Sequence, residues 1–377
     1  MGNRNEQLNI VMLGHKRIPS REGGIEIVVE ELSTRMAAAG HHVTCLNRSG
    51  SHVSGKEYDT ASLREYKGVH IKKVPTVRKR GLAAMTSSVC GAVAAAFGRY
   101  DVVHFHAEGP CAMMWLPKLL GKRCIATIHG LDHQRAKWGK FARAYIMLGE
   151  KCAAKFADEI IVLSKGVQKY FKDTYNRETV LIPNGVTRPE IREAHEITER
   201  FDLRKDDYIL YLGRLVPEKG IHYLIEAYQK LQTNKKLVIA GGISDSCEYG
   251  KHLRELAGDH PNILFTGFVQ GRILEELYSN AYVYVLPSDL EGMPLSLLEA
   301  MSYGNCCVTS DIEECTQVVS DHGLCFAKGQ VDLLADVLQS LCDDPRQVEC
   351  YKNTAAEYIT AKYNWDDVTN QTLELYQ

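Results

Sequence analysis

Short apolar runs recur along the chain. Each is closed by a glycine, a histidine or another polar residue, and each is followed by a stretch with helical period. In the first half these runs lie at residues 8–13, 43–46, 102–106, 124–128 and 160–164. Runs of this length read as buried strands. Between the first two, Ile25, Val28, Val29, Leu32 and Met36 fall on one helical face, and Gly40 ends the pattern, so 25–39 reads as a helix. Strand, loop, helix, strand is a βαβ unit and predicts a parallel sheet. The second half repeats the scheme, with apolar runs at 208–212, 237–240, 263–266, 281–286 and 306–309 alternating with helical stretches. That alternation predicts a second doubly wound unit. The charged stretch 187–207 reads as a linker. Residues 351–377 read as two helices broken around Tyr363-Asn364-Trp365-Asp366. The fold class is therefore α/β, with two Rossmann-like domains.

Composition agrees and adds an asymmetry. The chain has 377 residues, 45% hydrophobic and 24% charged, which suits two globular domains. Residues 1–190 hold 29 Lys and Arg against 17 Asp and Glu, whereas 191–377 hold 16 against 30. Either the basic half meets an anionic surface, or the two halves attract each other. Residues 135–155 read as a helix in which Lys137, Lys140, Arg143, Lys151 and Lys155 interleave with Trp138, Phe141, Tyr145 and Met147. Such a helix suits an anionic membrane face, or a surface helix with an aromatic core side. Arg78, Lys79 and Arg80 add a second basic cluster. The twelve cysteines show no C-x-x-C pair and no zinc-finger spacing, so reduced thiols in a cytoplasmic protein are expected. No leader peptide, bilayer span or nucleic-acid motif is evident.

The polar loops after the apolar runs carry the candidate chemistry. Loop 14–24 is basic through Lys16, Arg17 and Arg21 and ends in Gly23-Gly24 at a helix start. It lacks the G-x-G-x-x-G spacing but still lets a phosphate approach the backbone. His129, followed by Gly130 and Asp132, sits just past a strand, where ligands bind in open α/β sheets. His104 and His106 compete with it on sequence grounds; the evident loop favours His129. Ser164 and Asn184 occupy further polar ends. Arg214 and Lys219 share one turn after the strand at 208–212, a fork donor and a point charge suited to a diphosphate. Glu291-Gly292-Met293 reads as a turn, Pro294 as the first residue of a helix, and Leu295 as the start of its apolar stripe. Glu299 follows on that helix, about a turn and a half along. A strand, a glycine turn and a helix offer backbone N–H groups to an anion. Two flanking carboxylates suit an anion bearing hydroxylated groups at both ends, such as a sugar, a diphosphate and a ribose.

Glu291 and Glu299, with seven residues between them, resemble the E-x7-E motif of the retaining glycosyltransferases of family 4. Gly213-Arg214 with Lys219-Gly220 resembles that family's G-R-x-x-x-x-K-G pattern, and Pro183-Asn184-Gly185-Val186 its crossing between domains. The resemblance covers nearly the whole chain and is stronger in the second half. It implies the GT-B architecture, two Rossmann-like domains facing across a cleft with the C-terminal helix crossing back. It places the acceptor-side domain at 1–187 plus about 358–377, and the nucleotide-sugar domain at 188–357. It implies that Glu291 touches the donor sugar, Glu299 the ribose, Arg214 and Lys219 the diphosphate, and Phe268 and Val269 the base. His129 would lie near the sugar, and Gly23 and Gly24 against donor and acceptor. The implied reaction moves a hexose or deoxyhexose from a nucleoside diphosphate sugar to a sugar or lipid-linked hydroxyl, with retention. No D-x-D is present, so no metal and no cofactor is expected. A sugar-nucleotide epimerase of the same build and a nonenzymatic sugar-nucleotide binding module are the alternatives.

Overall fold

The computed structural model describes residues 7–50, 63–77, 82–135, 138–242 and 247–377. The chain divides into two compact units. One takes in the residues up to Asn184 together with Trp365–Gln377, and the other is Gly185–Asn364.

The first unit is built on an eight-stranded sheet: β1 (Asn9–Leu13), β2 (His42–Arg48), β3 (Glu65–Tyr66), β4 (Val69–Val74), β5 (Val102–His106), β6 (Arg123–Ile128), β7 (Glu159–Val162) and β8 (Val180–Leu181). The order is β3-β4-β2-β1-β5-β6-β7-β8, parallel except for the β3–β4 hairpin. The strands at its centre are apolar on both faces, with Ile10, Val11, Met12, Val103, Phe105, Ile125 and Ala126 fully buried, as a sheet covered by helices on both sides requires. The strand order, not the strand direction, reverses between the parallel neighbours β1 and β5, so the loops after these two strands diverge and leave a crevice between them. The helix Trp365–Glu374 belongs to this unit: Arg35 on helix Gly24–Ala38 pairs with Asp366 at 2.9 Å, and Arg123 donates to the Leu375 carbonyl at 2.8 Å.

The second unit holds six parallel strands: β9 (Tyr208–Leu212), β10 (Lys236–Ala240), β11 (Ile263–Gly267), β12 (Val283–Leu286), β13 (Cys306–Ser310) and β14 (Leu324–Phe326). Their order is β11-β10-β9-β12-β13-β14, the 3-2-1-4-5-6 order of dinucleotide-binding sheets. The switch point lies between β9 and β12.

Most expected elements form within a residue or two. Four strands went unread in the sequence: β3 and β4, where lysines interrupt the apolar run, the two-residue β8 and the three-residue β14. Residues 187–207 are not merely a linker, since Glu196–Phe201 forms a short helix. The helix expected over 135–155 begins only at Lys140, after a 3-10 turn at Asp132–Gln134. Lys137 and the cluster Arg78, Lys79 and Arg80 lie outside the described residues. Pro294 is the N-cap of helix Leu295–Ser302 rather than its first residue, with an extended ψ of 96°.

Candidate active site

In the second unit, the two loops flanking the switch point meet. The β9 loop carries Arg214 and Lys219; the β12 loop carries Ser288, Asp289 and Glu291. Gly220 lets them touch. Its φ is +64°, and a Cβ there would lie 2.0 Å from the Pro287 carbonyl oxygen. Asp289 donates its backbone N–H to the Glu218 carbonyl at 2.9 Å, closing the junction. Lys219 Nζ then reaches Glu291 Oε1 at 2.5 Å, and both side chains are mostly buried. Ser288, fully buried, donates its hydroxyl to the same oxygen at 2.6 Å. Arg214 stands on the same loop, half-buried, with no carboxylate partner among the described residues. A desolvated guanidinium without a counter-charge is costly, and an arriving anion would relieve that cost. Lys219 has three N–H donors and spends one on Glu291, so two remain for other acceptors.

Gly292, Met293, Pro294 and Leu295 lead from Glu291 into helix Leu295–Ser302, whose first N–H groups have no intrahelical partners. Glu299 sits on that helix, and its Oε2 accepts from the Tyr278 hydroxyl at 3.2 Å. Gly304, with φ +76°, follows the end of that helix. Phe268 and Val269 follow β11 directly, on the far side of β10 from the switch point.

In the first unit, three histidines line the ends of β5 and β6. His104 is fully buried and satisfied at both ring nitrogens, by the Tyr376 hydroxyl at 2.6 Å and Thr127 at 2.7 Å. Burial drives its pKa down to about 3, helped by His129. Its contacts make it a core residue, so it does not compete for a ligand. His106 faces His129, with 3.2 Å between ring nitrogens, and its Nε2 has no hydrogen-bond partner. Burial lowers His129 to about 4. At neutral pH the imidazole is uncharged, a polar hydrogen-bonding group rather than a cation.

Gly23 precedes helix Gly24–Ala38 in an extended conformation, φ −168°. Glu26 occupies the space a Cβ at Gly23 would need, its Oε2 lying 2.7 Å away. Glu26 is buried, which alone would raise its pKa. The Lys16 ammonium and the Lys16 N–H, donated at 2.8 Å, hold it below its usual range instead. The start of this helix thus already faces a carboxylate of its own chain. Ser164 is a helix cap: its hydroxyl accepts from the Val167 N–H at 3.3 Å. Asp132 pairs with Arg135 at 2.8 Å, and Asn184 is buried at the end of the first unit.

The side chains that sequence reasoning passed over are Glu108, His133 and Glu150. Glu150 lies in a segment that reads as ordinary helix, Glu108 in a stretch between strands that carries no pattern of its own, and His133 stands four residues beyond the histidine that drew attention. Their proximity depends on helix packing, which leaves no local signal.

Paired doubly wound units, one with cations and carboxylates meeting at its switch point, define an α/β protein of the nucleotide-handling type. Comparison with known proteins sharpens this. The model for glycosyltransferase family 4 matches residues 22–188, and that for glycosyl transferases group 1 matches 193–362. The chain belongs to the family 4, group 1 glycosyltransferases, with the GT-B fold. It is 25% identical to an uncharacterised glycosyltransferase of Methanocaldococcus jannaschii, over 98% of each chain. It is 26% identical to a phosphatidyl-myo-inositol mannosyltransferase of Mycobacterium leprae, over 94% of this chain and 93% of that one. Among solved structures, Anabaena HepE in complex with UDP and glucose superposes with a TM-score of 0.81 at 15% identity, covering 98% and 99% of the two chains.

Proposed function

We propose that this glycosyltransferase moves a hexose or deoxyhexose from a nucleoside diphosphate sugar to a hydroxyl, with retention, in the synthesis of a cell-surface polysaccharide or glycolipid. The observation that carries the reading is the meeting of Lys219 and Glu291 at the switch point, with Arg214 unpaired by any described carboxylate on the same loop. A diphosphate at this point takes the Arg214 fork and the two free donors of Lys219. Gly292, Met293, Pro294 and Leu295 form the turn against it, and the N–H groups of Gly292 and Leu295 at the helix start are offered to it. As the sugar–oxygen bond breaks, the electron pair leaves with the diphosphate, and these donors stabilise the growing charge. The acceptor oxygen bonds to the anomeric carbon on the same face, and its proton passes to the departing phosphate oxygen. Glu291 faces the sugar, Glu299 the ribose, and Phe268 and Val269 the base. His129, neutral, hydrogen-bonds a sugar hydroxyl, and Gly23 and Gly24 border the acceptor. With two cations beside the diphosphate, the reaction needs neither magnesium nor manganese.

Two relatives support the reading. HepE was solved with UDP and glucose, and the mycobacterial relative is named for a phosphatidyl-myo-inositol acceptor. No helix among the described residues is long and apolar enough to cross a membrane. We place the protein in the cytoplasm, in peripheral contact with the inner face of an anionic membrane.

The test is a panel of UDP-, GDP-, ADP- and dTDP-sugars incubated with the purified chain, with and without hydroxyl acceptors and without added divalent metal. One donor should release its nucleoside diphosphate, faster with acceptor, and the product should keep the donor's anomeric configuration by NMR. Release of an altered sugar nucleotide without acceptor would make the protein an epimerase. Donor binding with no turnover on any acceptor would make it a binding module.

A further inference from the structure

Glu108, His133 and Glu150 come from three separate segments of the first unit. Glu108 opens the short helix after β5, His133 lies in the 3-10 turn after β6, and Glu150 is on helix Lys140–Phe156. They offer two oxygens and one nitrogen, all within 4.8 Å of one another. Gly149 brings them together. A Cβ there would lie 1.9 Å from the Glu108 carbonyl oxygen, so any side chain at 149 would push the helix and Glu150 away.

The cluster is buried: Glu108 is 1% exposed and Glu150 is 0%. Two carboxylates sealed together repel and lose their hydration, so something must compensate them. Glu150 is well supplied. Its Oε1 lies 2.5 Å from His133 Nδ1, and its Oε2 accepts from the hydroxyls of Tyr170 at 3.0 Å and Tyr175 at 2.9 Å. Glu108 is not. Its Oε1 accepts the Asp132 N–H at 2.8 Å, but its Oε2 is shut away from solvent with no hydrogen-bond partner. Two buried carboxylates facing a single imidazole leave the site short of positive charge.

We propose that Glu108, His133 and Glu150 bind a divalent transition-metal cation, with zinc the best match. One imidazole and two carboxylates with a fourth position left open is a zinc-type ligand set. Calcium and magnesium prefer six or more oxygens, which the three side chains do not supply. Metal–ligand bonds of about 2.0–2.2 Å put tetrahedral ligands roughly 3.3–3.6 Å apart, so small side-chain rotations close the set. Metal sites also need outer partners that aim the ligands. Here the Tyr170 and Tyr175 hydroxyls already fix Glu150, and the Asp132 N–H fixes Glu108. Binding takes the place of the His133–Glu150 hydrogen bond and releases whatever protons the three ligand atoms carry. It ties the segment that carries both His129 and His133 to helix Lys140–Phe156. The site is independent of the donor chemistry proposed above, and its test does not read turnover.

The full chain, stripped with chelator and dialysed, is titrated with zinc chloride by calorimetry and with cobalt(II) by visible absorption. We expect one tight equivalent per chain, and a melting temperature several degrees higher at about a hundredfold excess over Kd. His133→Ala and Glu108→Gln should each lose that equivalent and that shift, whatever weak binding persists at the cysteines. The cobalt complex should show d–d bands without thiolate charge transfer. This spectrum of the unaltered chain decides the matter if a variant fails to fold. Failure to bind zinc, undiminished binding in both variants, or a thiolate spectrum would overturn the proposal. The cluster would then be a protonated network, with Glu108 neutral.

Discussion

At the scale of single residues, Lys219 and Glu291 have to be considered as a pair. Removing Lys219 leaves a mostly buried carboxylate without its cation, while removing Arg214 leaves no described carboxylate behind. Arg214→Ala should therefore lower turnover by about a hundredfold or more while folding normally, since one transition-state donor is worth roughly 3 kcal/mol. Lys219→Ala should lower turnover at least as much and also lower the midpoint of urea unfolding. Steady-state rates beside denaturation curves measure both, and near-normal turnover in both variants would remove the diphosphate role. The two glutamates should differ as well. Glu299 accepts from the Tyr278 hydroxyl at 3.2 Å, whereas Glu291 is held by the Lys219 ammonium and the Ser288 hydroxyl. Glu299→Gln should weaken calorimetric binding of the nucleoside diphosphate about tenfold, the worth of one charged hydrogen bond. Glu291→Gln should reduce turnover more than that binding. Equal affinity losses would contradict the assignment. The sequence displayed Arg214, Lys219 and Glu291 because each stands in a polar loop past an apolar strand, and Glu299 by its spacing from Glu291. It could not display Glu26 beside Gly23, or the full satisfaction of His104, because those depend on which loop packs against which strand.

At the scale of elements, glycines at loop crossings decide which side chains meet. Gly220 is the clearest case, being left-handed and pressed against the Pro287 carbonyl. Gly220→Ala should cost about 2–4 kcal/mol through backbone strain and a clash with main chain. It should also weaken donor binding, because the turn that carries Lys219 must shift. Chemical denaturation and donor titration on the same variant test this. Wild-type stability would mean that the crossing is looser than it looks. The buried strands were legible because a sheet covered on both faces demands continuous apolar runs. β4 was not, since Lys72 and Lys73 break its pattern and three of its six residues are exposed. The late start of helix Lys140–Phe156 was hidden because the sequence before Gly139 keeps the same alternation of basic and aromatic residues.

At the scale of the whole molecule, the basic first half and the acidic second half ask for a partner. On helix Lys140–Phe156 the exposed face combines Lys140 and Arg143 with Phe141, Met147 and Leu148, and Phe141 is 74% exposed. Each Lys or Arg near an anionic surface is worth about 1 kcal/mol, screened by salt over about 10 Å. The protein should sediment with anionic vesicles at low salt. Raising salt, or Lys140→Glu with Arg143→Glu, should release it. A chain that stays in the supernatant would leave attraction between the halves as the better account of the charge. Acid should act on the first unit in particular. His15 and His104 are pushed by burial to about 4 and about 3, below the ordinary histidine value of 6.5. Between those values the unfolded chain binds protons that the folded chain refuses, so stability falls as pH drops from about 6.5 toward 4. Thermal unfolding followed at pH 7 and pH 5 should show the transition of the first unit moving down. An unchanged transition would mean that these histidines titrate as in water.

The return of Trp365–Gln377 to the first unit has a consequence for how the protein is made. Domains generally fold in the order they leave the ribosome. Here the second unit can close first. Its two ends already touch, since Val186 donates its N–H to the Tyr363 carbonyl at 2.9 Å, and Val186 and Asn364 form a bridge. The first unit, although begun earlier, waits for residues made after the second unit: Trp365, buried against it; Asp366, for Arg35; and Tyr376, for His104. Until those residues emerge, the nascent chain holds a finished second unit and an unsealed first one. A message cut short just after residue 364 would yield a chain whose first unit lacks its closing helix, exposed to the cell's proteases, while the second unit stays folded.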